Sequence, residues 1–152
     1  MKNFEDLPNA KFYKVIKNGV DVDKFKKINF KKDKKIIIGF MGIMISQKNV
    51  EYMIELAREF SNLPQYEFRV IGEINRRNDN YKYYQGLASK VKEYSLKNIE
   101  FLDNTSPDKV HTAYNSFDFT IVPLNDRELF CMVGIEAYEL RKFCYSKSRW
   151  RQ

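Results

Sequence analysis

At 152 residues the chain is one domain long, and its 43% hydrophobic and 31% charged residues are an ordinary balance for a soluble globular protein. The longest apolar run, residues 36–45, is too short to span a bilayer, and the opening MKNFEDLPNAKF carries acids and a proline where a secretory signal needs an apolar block. The net charge of +7 invites a nucleic-acid partner; residues 141–152, however, hold five of the lysines and arginines and no acid, so the other 140 carry only +2 and no nucleic-acid-binding face is expected. The two cysteines, Cys131 and Cys144, lack metal-ligand spacing and fit a reduced thiol state, so the expected location is cytoplasmic.

In chain order, YKVI (13–16) is a short strand candidate, and the lysine groups near residues 24–35 read as a solvated linker. KIIIGFMG (35–42) is nearly continuous in apolar residues, as in a strand covered on both faces. From Lys48 to Phe60, Val50, Met53, Ile54, Leu56, Ala57 and Phe60 recur near helical spacing. YEFRVIG (66–72) reads as a strand, residues 81–95 as a helix with Tyr84, Leu87, Ala88 and Val91 inward, and NIEFL (98–102) as a strand. Ser106 and Pro107 have the look of an N-cap and a first-turn proline. DFTIVPL (118–124) is the next strand, and a last helix starts around Cys131 to Gly134 and runs through Leu140. Strands alternating with helices predict parallel βαβ units in a doubly wound α/β sheet.

Ligands of such sheets sit outside the carboxyl ends of the strands, which marks residues 42–48, 72–75, 103–106 and 124–134. Gly39 and Gly42 form no full dinucleotide-binding fingerprint, and tight backbone packing explains them as readily as a phosphate cradle. Lys48 falls in the first turn of a helix, where a cation opposes the macrodipole. It is either a solvent-exposed lysine or a cation kept there to meet a phosphate. Glu128 and Glu136 stand eight residues apart, with Glu128 in a loop and Glu136 one turn into the last helix. Amides near Val133 and Gly134 would face an anion there, although an acid in a first turn is also simply a good dipole partner. The sole histidine, His111, has no partner at ligand spacing and reads as a surface or packing residue.

Taken together, the motifs resemble the C-terminal, donor-binding domain of family 4 glycosyltransferases. VIKNGVDVDKF resembles the segment that leads into that domain, and FMGIMISQKNVEYMIELA its strand, glycine and lysine-containing helix start. YEFRVIGE, NIEFLDNTSPDKVHTAYNSFDFTIVPL and ELFCMVGIEAY follow in the family's order, the last carrying a Glu-x7-Glu motif as Glu128 and Glu136. The resemblance implies a Rossmann-like half of a GT-B enzyme that transfers a sugar from a nucleotide-sugar with retention and without a metal or other cofactor. Glu128 would contact the donor sugar and Glu136 the ribose. Lys48 and the amides of Met132, Val133 and Gly134 would hold the diphosphate, next to the strand-end Gly42.

Two residues depart from the family pattern: Ile43 stands where an arginine is usual, and Cys131 where a glycine is usual. The acceptor-binding N-terminal domain is expected to be missing, so this half alone should turn over poorly. The alternative is a non-catalytic nucleotide-sugar-binding module completed by a separate acceptor-domain chain. Membrane association of the parent enzyme stays open. The division expected is a lead-in segment and linker over 1–34, the nucleotide-sugar domain over 35–142 and a basic tail over 143–152. In place of the family's Val-Ile-Ala strand and Gly-Gly, the tail reads FCYSKSRW. One coding of Cys144 to Trp150, TGT TAT AGC AAA AGT AGG TGG followed by CGN, gives Val-Ile-Ala-Lys-Val-Gly-Gly when read one nucleotide later. The expectation is therefore a domain incomplete at its C-terminus, with an out-of-frame tail.

Overall fold

In a computed structural model the chain is described over residues 18–28, 34–74, 80–103, 106, 108–123 and 131–140, with the backbone alone of 143–146. The strand candidate at 13–16 lies outside these residues. β1 (Ile36–Met41), α1 (Glu51–Glu59), β2 (Tyr66–Ile71), α2 (Asn80–Glu93), β3 (Ile99–Leu102), α3 (Val110–Asn115), β4 (Phe119–Val122), α4 (Met132–Glu139) and β5 (Phe143–Ser146) alternate along the chain. All four strand pairings are parallel and the order is β3-β2-β1-β4-β5, the doubly wound arrangement that the alternation predicts.

The pleat of β1 sends alternate side chains into two cores. On one face Ile38 and Phe40 meet Val50, Met53, Ile54 and Ala57 of the α1 region, Leu87 of α2, and Phe68 and Val70 of β2. On the other, Ile37 and Met41 pack with Ile71, Tyr114, Phe117, Ala137 and Leu140. Gly39 is where the second core presses closest: a β-carbon there would lie 2.2 Å from the Phe117 ring. Toward the β2–β3 edge that face is polar. Arg69 binds Glu67 at 2.9 Å and Glu100 at 2.6 Å, and Lys35 reaches Glu67 at 2.8 Å.

The lysine-flanked lead-in is folded onto the domain rather than solvated throughout. Phe25 is buried in the second core beside Tyr114, with ring centroids 6.3 Å apart. Asn115 accepts from the Ile28 amide at 3.0 Å and donates to the carbonyls of Lys26 and His111. At the other end, the stretch set apart as a tail lacking strand character contributes β5, paired with β4 from Phe119↔Phe143 to Val122↔Ser146. Pairing satisfies backbone groups that an edge strand would leave open, and it asks little of side-chain hydropathy. Among the described residues no helix is long and apolar enough to cross a membrane.

Candidate functional site

Strand order reverses between β1 and β4, so the carboxyl ends of these two strands border the crevice where doubly wound sheets bind ligands. The loop after β1 starts at Gly42, whose φ of +152° is a conformation that side chains rarely adopt. Its amide donates to the Ile71 carbonyl at 3.0 Å, and a β-carbon on Gly72 would stand 1.9 Å from the Gly42 carbonyl oxygen. The Gly72 amide in turn donates to Leu102, and the Ile74 amide to Asp103 Oδ1 at 3.1 Å. Backbone contact thus laces the carboxyl ends of β1, β2 and β3 into one rim.

Past the rim, Ile43 is exposed, Met44 is buried, and Ser46–Lys48 form a 3-10 turn. Lys48 is therefore not in the first turn of α1, which begins at Glu51. Asn49, left-handed at φ 48°, separates the two elements and breaks the helix that the apolar spacing extends back to Lys48. The half-buried lysine stands in the turn between the end of β1 and the start of α1, and Glu51 takes the first-turn position where an acid is favoured. Tyr83 donates to Glu51 and accepts from the Val50 amide, pinning α2 to this end of α1. Burial, and then the hydrogen bond to Glu51, push the Tyr83 phenol well above its ordinary value.

Across the crevice α4 begins at Met132 with Cys131 as its N-cap. The first amides of a helix lack partners within it. At α4 the Gly134 amide is directed at Cys131 Sγ, 3.3 Å away. A thiol sulfur is a weak acceptor, so this amide is only weakly engaged. Met132, Val133 and Gly134 are half-buried along this first turn. Glu136 lies in the second turn, and α4 has no acid in its first. The dipole-partner explanation of Glu136 therefore loses its footing. Its Oε2 instead accepts from the Tyr114 hydroxyl at 2.7 Å, and Tyr114 is fully buried.

The topology thus brings Gly42 and Lys48, from the β1 side, to the same sheet edge as Met132, Val133, Gly134 and Glu136 on α4. Glu128 lies outside the described residues. His111 sits half-buried on α3 with its Nε2 3.3 Å from Thr112 Oγ1, in keeping with a packing role. Sequence reasoning passed over Tyr114. Its available signal was a tyrosine, rather than a phenylalanine, at an apolar position, since a buried phenol implies a polar partner.

The family described as glycosyl transferases group 1 matches residues 21–145. A lipopolysaccharide 1,2-N-acetylglucosaminetransferase of Salmonella typhimurium is 23% identical over 88% of this chain, which spans only 38% of that protein's length. Among solved structures, the C-terminal domain of a group 1 family protein from Francisella tularensis superposes with a TM-score of 0.72 at 23% identity, covering 84% of this chain and 70% of that one. Anabaena HepE, in complex with UDP and glucose, gives a TM-score of 0.74 at 19% identity over 88% of this chain and 37% of its own. With most of its length matched by the family and the same doubly wound fold, the chain belongs to the glycosyl transferases group 1 family.

Proposed function

We propose that the chain is the donor-binding half of a retaining, family 4 GT-B glycosyltransferase, which moves a sugar from a nucleotide-sugar to an acceptor. The observation that carries this reading is the carboxylate of Glu136, fixed by Tyr114 at the switch-point edge that also holds the Gly42 rim and Lys48. In this reading Glu136 receives the ribose hydroxyls. Lys48 and the amides of Met132, Val133 and Gly134 take the diphosphate, with Gly42 letting the backbone approach. As the glycosidic bond breaks, negative charge grows on the departing phosphate, and a helix start with a cation stabilises it. That arrangement needs no metal or other cofactor. Glu128 would contact the donor sugar near the reacting carbon. UDP is the first nucleotide to try, because HepE is solved with it. In a GT-B enzyme of this kind the acceptor would be bound by the other domain, so a donor half by itself would turn over poorly, and the cytoplasm supplies its donor.

A second reading is a module that binds nucleotide-sugar without turnover until another chain completes the cleft. Two observations favour it: exposed Ile43 where the family usually has arginine, and the Cys131 thiol against the Gly134 amide. Thermal denaturation with UDP and GDP tests the site that both readings share. A ligand at about a hundred times its Kd adds roughly 2.7 kcal/mol, or about 5–10 °C for a chain of this size. Lys48→Ala and Glu136→Ala should shrink that shift, and no shift with either nucleotide refutes the donor site. Release of UDP from a UDP-sugar separates the two readings.

A further inference from the structure

We infer that Tyr114 is a positioning residue for Glu136: its buried hydroxyl fixes one carboxylate oxygen, so that the carboxylate meets the nucleotide ribose in a single orientation. The inference rests on the donor-site reading above. A glutamate on a helix surface samples several rotamers, and freezing them on ligand binding costs affinity. Here that ordering is done in advance. The hydroxyl donates to Glu136 Oε2 at 2.7 Å.

The donor cannot drift, because its ring is held from several sides. Phe117 packs edge-on with centroids 6.1 Å apart, and Phe25 packs at 6.3 Å. Phe117 is itself lodged against Gly39 of β1, where a β-carbon would overlap its ring. The position of the carboxylate is thus referred to the central strand through Gly39, Phe117 and Tyr114. A phenylalanine at 114 would fill the same core space. The phenol in a fully buried position is therefore matched to the carboxylate it meets, not to the packing alone.

The experiment is calorimetric titration of the full chain with UDP and with 2′,3′-dideoxy-UDP, which lacks the ribose hydroxyls. Wild type should prefer UDP. Tyr114→Phe should weaken UDP binding by about tenfold or more, the scale of one hydrogen bond to a charged group. The same substitution should leave the dideoxy nucleotide nearly unaffected. In a Glu136→Ala background it should cost nothing further. Tyr138→Phe, on an exposed position of α4, should behave as wild type. Glu136→Asp keeps the charge but draws the carboxylate away from Tyr114 without touching the core, and it should lose the same preference even where Tyr114→Phe does not fold. Equal weakening for both nucleotides, or an undiminished effect in the Glu136→Ala background, reduces Tyr114 to a structural residue and overturns the inference. Wild type that binds UDP without preferring it to the dideoxy form keeps the donor site but overturns this role of Glu136. No UDP binding at all removes the donor-site reading and the inference together.

Discussion

Asn115 is a buried side chain whose loss should loosen the lead-in segment on the domain. It is 5% exposed, and it accepts from the Ile28 amide at 3.0 Å while donating to the Lys26 carbonyl at 3.0 Å and the His111 carbonyl at 2.9 Å. Each such bond is worth about 0.5–1.5 kcal/mol net. Residues 26–28 are exposed, so water replaces part of the loss, and about 2 kcal/mol is the expected cost of Asn115→Ala. That cost falls on local opening first, because Phe25 remains to hold the segment by its buried ring. A 2 kcal/mol shift raises the open population about thirtyfold, and proteolysis in the fast-reclosing regime follows that population. The assay is limited trypsin digestion of the folded full chain, with cleavage at Lys24, Lys26 and Lys27 followed by mass spectrometry. Asn115→Asp sharpens the sign. It keeps the acceptor for Ile28 but turns both donated bonds into oxygen facing oxygen, so it should open the segment at least as much as alanine. Cleavage at these lysines that changes less than about threefold in either variant refutes the clip.

Gly72→Ala should be strongly destabilising, by about 1–3 kcal/mol or more, because the atom its β-carbon meets at 1.9 Å is a backbone oxygen that cannot swing aside. Thermal denaturation reads this, and UDP titration should show a weakened site, since Gly42 must move. Gly86→Ala is the contrasting case: nothing lies within 4 Å of its β-carbon in α2, so relief of glycine's helix cost should stabilise by about 0.5–1 kcal/mol, seen as a raised urea midpoint. Glu67 tests linkage: the hydrogen bond from Lys35, then the pairing with Arg69, hold its carboxyl below the ordinary value of 4.5 despite burial. A depressed carboxylate stabilises above its unfolded pKa and loses that contribution as pH falls through its folded one. The urea midpoints of wild type and Glu67→Gln should therefore differ at pH 6–7 and draw together as pH falls below the ordinary value of 4.5 through the lowered folded one.

How far the sequence could be read depended on how local each signal is. Strand β2 alternates Tyr66, Phe68 and Val70 with Glu67 and Arg69, whereas β1 declares itself by an apolar run, as a strand covered on both faces does. The helices α1 and α2 do so by spacing, with Leu87 of α2 buried as expected and Tyr84, Ala88 and Val91 half-buried. Helix starts were less legible. Asn49 breaks the turn after Lys48 by adopting a left-handed conformation that no pattern demands of it. The Ser106 carbonyl closes a turn with the Lys109 amide at 2.8 Å, so α3 begins only at Val110. Contacts remote in sequence were not legible. A phenylalanine among lysines gives no periodic signal, and the bond from Ile28 to Asn115 spans 87 residues. The strand at 143–146 escaped for another reason, since backbone pairing beside β4 is indifferent to the hydropathy that marks a central strand. The residues proposed for the donor site were read from motif resemblance, whereas the hydroxyl that holds Glu136 could come only from the fold.

α3 joins these remote contacts. At six residues it is far too short to be stable by itself. Tyr114 and Asn115 are consecutive on it, and one residue step turns a helix by about 100°. One side chain therefore faces α4 and the other faces the lead-in. Phe25 completes the loop by packing on the ring whose hydroxyl binds Glu136. The lead-in, the short helix and the carboxylate consequently form one cooperative cluster, in which substitutions are not expected to add. Asn115→Ala should loosen the ring that Tyr114→Phe leaves in place, so each should blunt the other's effect on UDP affinity. Their joint effect should fall short of the sum of the two in free energy. Strict additivity would mean that the lead-in merely rests on α3 and that the carboxylate is held without it.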